Sequence, residues 1–149
     1  RMIGYIDDFV DIIESYNNHG NIKITKVVPR KESLELMMES DVLLIIQSVE
    51  GEGSDVISGK LFEYLNARKY VIGVVDEQGG DSWLIKQTGC GTVTGLEKVS
   101  KVAEALLNVY DLWENKKLSE LHNKDYSQFN RSYLTKNLVD IFDELLEKS

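Results

Sequence analysis

Apolar runs of strand length alternate with segments of helical period along most of the chain. Residues 22–28 alternate, carry β-branched side chains, and are bounded by His19-Gly20-Asn21 and Pro29, the pattern of a strand. Residues 41–47 form a continuous apolar run, as expected of a strand buried on both faces of a sheet. Residues 70–75 repeat that pattern, and residues 91–94 give a shorter strand. Phe9, Val10, Ile12, Ile13 and Tyr16 mark one face of a helix over about residues 7–18. A second helix, carrying Leu34, Leu36, Met37 and Met38, follows Pro29, a residue suited to a helix start. Leu61, Phe62, Tyr64 and Leu65 mark a third, and Trp83, Leu84 and Ile85 a fourth. Two longer helices follow at about 97–116, with Val102, Leu106, Val109 and Leu112 as its stripe, and at 131–147. Residues 118–130 read as a polar connection. Met2 to Ile6 fits either a strand end or a first helical turn.

Strands alternating with helices imply βαβ units, hence an α/β fold with a parallel, doubly wound, Rossmann-like sheet and helices on both faces. Ligands of such sheets bind at the carboxyl ends of the strands. With 149 residues, one domain is expected over 1–149. Position 1 is Arg and no complete strand precedes the first helix, so a fragment truncated at its N-terminus is expected.

Composition narrows the chemistry. The net charge is -8, from 17 Lys and Arg against 25 Asp and Glu, which disfavours nucleic acid as a partner. The apolar run Val42–Ile46 is far short of the ~20 residues that cross a bilayer. Asp7 and Asp8 arrive before any apolar run develops, so no signal peptide is expected, and the assignment is cytoplasmic. One cysteine excludes an internal disulfide, and with two isolated histidines it makes no usual zinc site.

The most informative segment leads from the strand ending near Gln47, through a small-residue loop, into a helix that starts at Ser58 or Gly59. That places a helix N-terminus at the carboxyl edge of the sheet, where free N–H groups and the dipole favour an anion. It is not a P-loop: five residues separate Gly53 from Gly59, and Leu61 stands where a Mg²⁺-binding hydroxyl is needed. Lys60 opposes the helix dipole in the first turn, a conflict that an anionic ligand would remove. The plain reading is a solvated pair with Glu63. Glu63 shares the face of Gly59 and Lys60, where its carboxylate can accept hydrogen bonds from two ribose hydroxyls. Lys23, Lys26, Arg30 and Lys31 give residues 22–31 a charge of +4, while residues 58–70 carry +2, so an acidic total leaves room for a local anion site. Asp81 or Ser82, after Gly79-Gly80, is expected to cap the next helix. Cys90 is expected to be buried, His19 and His122 to face solvent, and Trp83 and Trp113 to lie in the core.

Ser58-Gly59-Lys60-Leu61-Phe62-Glu63-Tyr64-Leu65-Asn66-Ala67-Arg68-Lys69-Tyr70-Val71-Ile72 resembles the S-x-K-x-x-E-Y-L-A-x-x-K-P-V-I stretch of nucleotide-sugar glycosyltransferases of the two-domain GT-B fold. The run from Val28-Pro29-Arg30 to Ser40-Asp41-Val42-Leu43-Leu44 is similar to the strand, x-P-x-x-E-L, helix and A-D-V-x-L run that precedes it in that family. Tyr126-Ser127-Gln128-Phe129-Asn130-Arg131, followed by a helix ending in Leu-Leu, resembles the family's tail. The likeness spans about residues 20–147, and its specific part is the order and spacing of the motifs.

The resemblance implies the C-terminal, nucleotide-sugar-binding half of such an enzyme, with the acceptor and any base on an N-terminal domain absent from these residues. Glu63 matches the ribose-binding glutamate; Ser58, Gly59 and Lys60 match the helix start facing the diphosphate, with Lys60 stabilising the leaving group. Val28 and Arg30 match the loop that lines the base pocket. Asp55 stands eight residues before Glu63, where retaining members carry a second glutamate. Tyr70 replaces the usual proline. The family needs no cofactor beyond the donor, and no Asp-x-Asp metal signature occurs. Polysaccharide or glycan synthesis, and peripheral membrane association of the full-length enzyme, also follow from the likeness, as does inactivity of this half alone. The alternatives are a nucleotide-sugar epimerase of the same architecture and a non-enzymatic Rossmann-like partner-binding module.

Overall fold

The computed structural model describes residues 1–47, 55–96, 99–118 and 125–148. Its class is α/β with parallel strands throughout, arranged in two small sheets. The chain divides into two compact units, Arg1–Glu39 and Ser40–Ser149.

In the first unit, strand β1 (Met2–Ile3) pairs in parallel with β2 (Ile24–Thr25), and helix α1 (Val10–Tyr16) lies between them in sequence. This settles the ambiguous start as a strand, followed by a 3-10 turn at Asp7–Phe9. The strand expected over 22–28 shortens to two residues because its partner β1 is equally short. The Asn17 side chain prepares β2, donating to the Ile22 carbonyl at 2.9 Å and accepting the Ile22 N–H at 2.8 Å. Helix α2 (Arg30–Glu39) starts directly after Pro29, whose carbonyl accepts the Ser33 N–H. No residue from Arg1 to Glu39 is buried.

The second unit contains a three-stranded sheet in the order β3-β4-β5, from β3 (Val42–Ile46), β4 (Tyr70–Val74) and β5 (Gly91–Thr94). Successive residues of the central strand face opposite sides. Val71 and Val75 join Ile45, with Leu61 and Leu65 of α3 (Gly59–Ala67), Leu84 and Ile85 of α4 (Gly80–Thr88), and Cys90. Ile72 and Val74 point the other way and meet Val109 of α5 (Val99–Glu114). Helices therefore cover both faces of this sheet. Gly91 allows the close pairing of β5 with β4, since a Cβ there would overlap the Val71 carbonyl oxygen.

Three readings of the apolar pattern need correction. Strand β3 is not buried on both faces: Leu43 and Ile45 are, while Leu44 and Ile46 are 48% and 60% exposed. On that face α5 packs over β4, and of β3, at the sheet edge, Val42 packs against that cluster while Leu44 and Ile46 stay exposed. The stripe of α5 runs through Val102, Ala105 and Val109, and Leu106 is turned outward. Trp83 and Trp113 are 53% and 48% exposed and are not core residues. Cys90 is buried and His19 exposed, as expected; His122 lies outside the described residues. The last helix, α6 (Arg131–Glu147), is capped by the Asn130 side chain and buries none of its residues, so Leu134, Leu138, Ile141, Phe142 and Leu145 form an exposed apolar stripe.

Candidate functional site

At the carboxyl edge of the three-stranded sheet, Gln47 donates its N–H to the Val74 carbonyl and Val75 donates to Thr94. The strand ends are thus level. Helix α3 opens with Ser58 in an extended conformation as its N-cap, and the Ser58 side chain makes no capping bond. No acidic residue stands in its first turn. Leu61 donates back to the Ser58 carbonyl at 3.0 Å, which leaves Gly59 and Lys60 at the open first turn, both exposed. The helix stays at this position because Leu61 and Leu65 anchor its inner face in the core.

Lys60 makes no ion pair among the described residues, so the plain pairing with Glu63 is not what this helix shows. Glu63 lies one turn further on and is half-buried. Burial pushes the neighbouring Tyr64 phenol up, and the Glu63 charge adds to that shift. The Tyr64 hydroxyl donates to the Leu44 carbonyl at 3.3 Å.

The second segment at this edge is the turn from β4 to α4. Asp76 accepts the Gln78 N–H at 2.9 Å, and the Glu77 carbonyl receives both the Ser82 hydroxyl, at 2.7 Å, and the Lys86 ammonium, at 2.8 Å. The Glu77 carboxylate pairs with Lys101 at 3.7 Å. Helix α4 is capped by Gly79 backbone alone. Neither Asp81 nor Ser82 caps it, contrary to the sequence expectation. Asp81 reaches back 23 residues, and its Oδ1 accepts the Ser58 N–H at 2.7 Å. It is 2% exposed, and its Oδ2, with Thr94 Oγ1 and Tyr126 Oη, is buried without a hydrogen-bond partner among the described residues. Burial pushes the Asp81 carboxyl up from its ordinary value, and the Ser58 N–H pulls the other way with less effect. The two segments touch so closely that a Cβ on Gly80 would lie 2.5 Å from the Asp55 carbonyl oxygen.

Of the residues singled out in the sequence, Ser58, Gly59, Lys60 and Glu63 lie on one helix start, and Asp55 precedes it with its backbone against Gly80. Val28 and Arg30 belong to the first unit, at the end of the β2 segment and the first position of α2. Gly51, Glu52 and Gly53 lie outside the described residues. Sequence reasoning missed the Asp81 link, since its partner, the Ser58 N–H, lies 23 residues away. The tail segment closes over the other side of α3, with Phe129 ring-to-ring with Phe62 at 6.4 Å and Tyr126 packed against the same core.

Chemically, this edge offers backbone N–H donors, a helix dipole and a cation, Lys60, that makes no ion pair among the described residues, an arrangement suited to a phosphate-bearing ligand. Among the described residues no cluster of three or more His, Cys, Asp or Glu could hold a metal ion, and no helix is long and apolar enough to cross a membrane. Comparison with protein families, curated proteins and solved structures gave no match for this chain.

Proposed function

We propose that the chain is the donor-binding, Rossmann-like domain of a GT-B glycosyltransferase, acting on a nucleoside-diphosphate sugar. The observation that carries the reading is the start of α3, a helix N-terminus at the carboxyl edge of a parallel sheet, with Lys60 in its first turn making no ion pair among the described residues. An anion there meets the positive end of the dipole and the N–H groups of Gly59 and Lys60, which resolves the otherwise unfavourable placement of that lysine. Glu63, one turn along, would take the ribose hydroxyls. As the glycosidic bond breaks, negative charge grows on the departing diphosphate, and the same groups stabilise it without moving.

In this reading Asp55 approaches the donor sugar, and a second domain supplies the acceptor and any base. The exposed apolar stripe of α6 then offers surface for that domain. The chain alone binds nucleotide and transfers no sugar; polysaccharide or glycan assembly in the cytoplasm, with peripheral membrane association, is the setting the reading suggests.

Calorimetric titration with UDP, GDP and ADP tests it. One of the three should bind, and Lys60→Ala and Glu63→Ala should each weaken binding by about tenfold to a hundredfold, the loss expected for a hydrogen bond to a charged group. Binding unchanged in both variants would remove the site from α3.

A further inference from the structure

The starts of α3 and α4 are joined by one buried carboxylate. Asp81 Oδ1 holds the Ser58 N–H at 2.7 Å, its Oδ2 is buried without a partner among the described residues, and the Gly80–Asp55 contact locks the two segments together. A buried carboxylate with a single hydrogen bond is costly when charged, and far less so when neutral. Either form keeps an acceptor for Ser58. Only the charged form sets a negative charge beside an anion at the first turn of α3.

We propose that Asp81 is a proton-linked positioning residue for a diphosphate group bound at the start of α3: its neutral form anchors Ser58 and admits the anion, and its carboxylate form opposes it. The proposal rests on the nucleotide reading above and adds a control on affinity to it. Binding then takes up a proton at Asp81, and affinity falls as pH rises.

Among the described residues, the other charged groups on the segments that meet here are Asp55, Lys60 and the half-buried Glu63 on the α3 side, Asp76 and Glu77 in the β4–α4 turn, and Lys86 on α4. Asp55, Lys60, Glu77 and Lys86 are exposed and Asp76 is partly so. Glu77 is already engaged with Lys101. The upward shift of the Asp81 carboxyl has burial as its main cause, opposed by the Ser58 N–H, so it follows from the fold of this joint.

The test is calorimetry of the chain with inorganic pyrophosphate and with UDP between about pH 5 and pH 8, in two buffers of different ionisation enthalpy. The expected result, taken relative to Asp81→Asn so that the ionisation of the probes' own phosphates cancels, is extra proton uptake and an affinity that weakens by up to about tenfold more as pH rises. Asp81→Asn keeps an acceptor for Ser58 without charge; it should flatten the pH profile and bind tighter than wild type at the alkaline end. Asp81→Ala releases Ser58 and should weaken binding at every pH. An Asn variant that keeps the wild-type pH profile, or weakens binding as much as Ala, overturns the proposal and leaves the nucleotide reading intact. Wild-type protein that binds neither pyrophosphate nor any of UDP, GDP and ADP at any pH overturns both.

Discussion

At the scale of single residues, the joint between α3 and α4 depends on two neighbours with opposite demands. Gly80 is required for space: in Gly80→Ala the new Cβ meets the Asp55 carbonyl oxygen at 2.5 Å and an Ile57 side-chain carbon at 3.0 Å. Backbone cannot give way as a side chain can, so a loss of about 1–3 kcal/mol in urea unfolding is expected. Asp81 acts through its proton. With its folded value raised, the unfolded chain releases this proton at lower pH than the native one, so stability falls as pH rises from about 3.8 toward the raised value. Unfolding measured across that window should show a steeper loss in wild type than in Asp81→Asn; equal slopes would place the burial cost elsewhere. Neither role was legible in the sequence. Gly-Gly-Asp-Ser before an apolar helix reads as a cap, and only the fold brings an N–H from 23 residues upstream to the carboxylate.

At the scale of elements, the order of strands and helices was legible because period and punctuation agree. Residues 41–47 and 70–75 are apolar and β-branched, Pro29 marks a helix start, and Gly89 ends α4 with a positive φ of 57°. What could not be read was which faces are covered. The apolar runs of β3 and β4 look alike in sequence, yet β4 is central and sealed while β3 lies at the edge with Leu44 and Ile46 exposed. Trp83 shows the same limit on a helix: its neighbours Leu84 and Ile85 are buried and it faces out. A paired substitution makes the difference measurable. Leu61→Ala, at a fully buried position on the inner face of α3, should cost about 2–5 kcal/mol. Leu44→Ala, which leaves far less of a cavity, should cost less than half as much in the same urea titration.

At the scale of the molecule, the parallel α/β class followed from alternation alone, but its division into two sheets did not. The short pairing of Met2–Ile3 with Ile24–Thr25 carries little pattern of its own, and nothing in the composition separates residues 1–39 from the rest. The acidic total of -8 likewise hides a local arrangement in which Lys60 has no ionic partner among the described residues and the first turn of α3 carries no acid. The central claim is that this first turn holds the diphosphate of a nucleotide. Titration of the ¹⁵N-labelled chain with UDP, GDP and ADP, followed by amide chemical shifts, tests it most directly. The account predicts that for one nucleotide the largest saturable shifts fall on Gly59 and Lys60, with Ser58 and Glu63 following. Saturable shifts that centre elsewhere and leave Gly59 and Lys60 unmoved would contradict it.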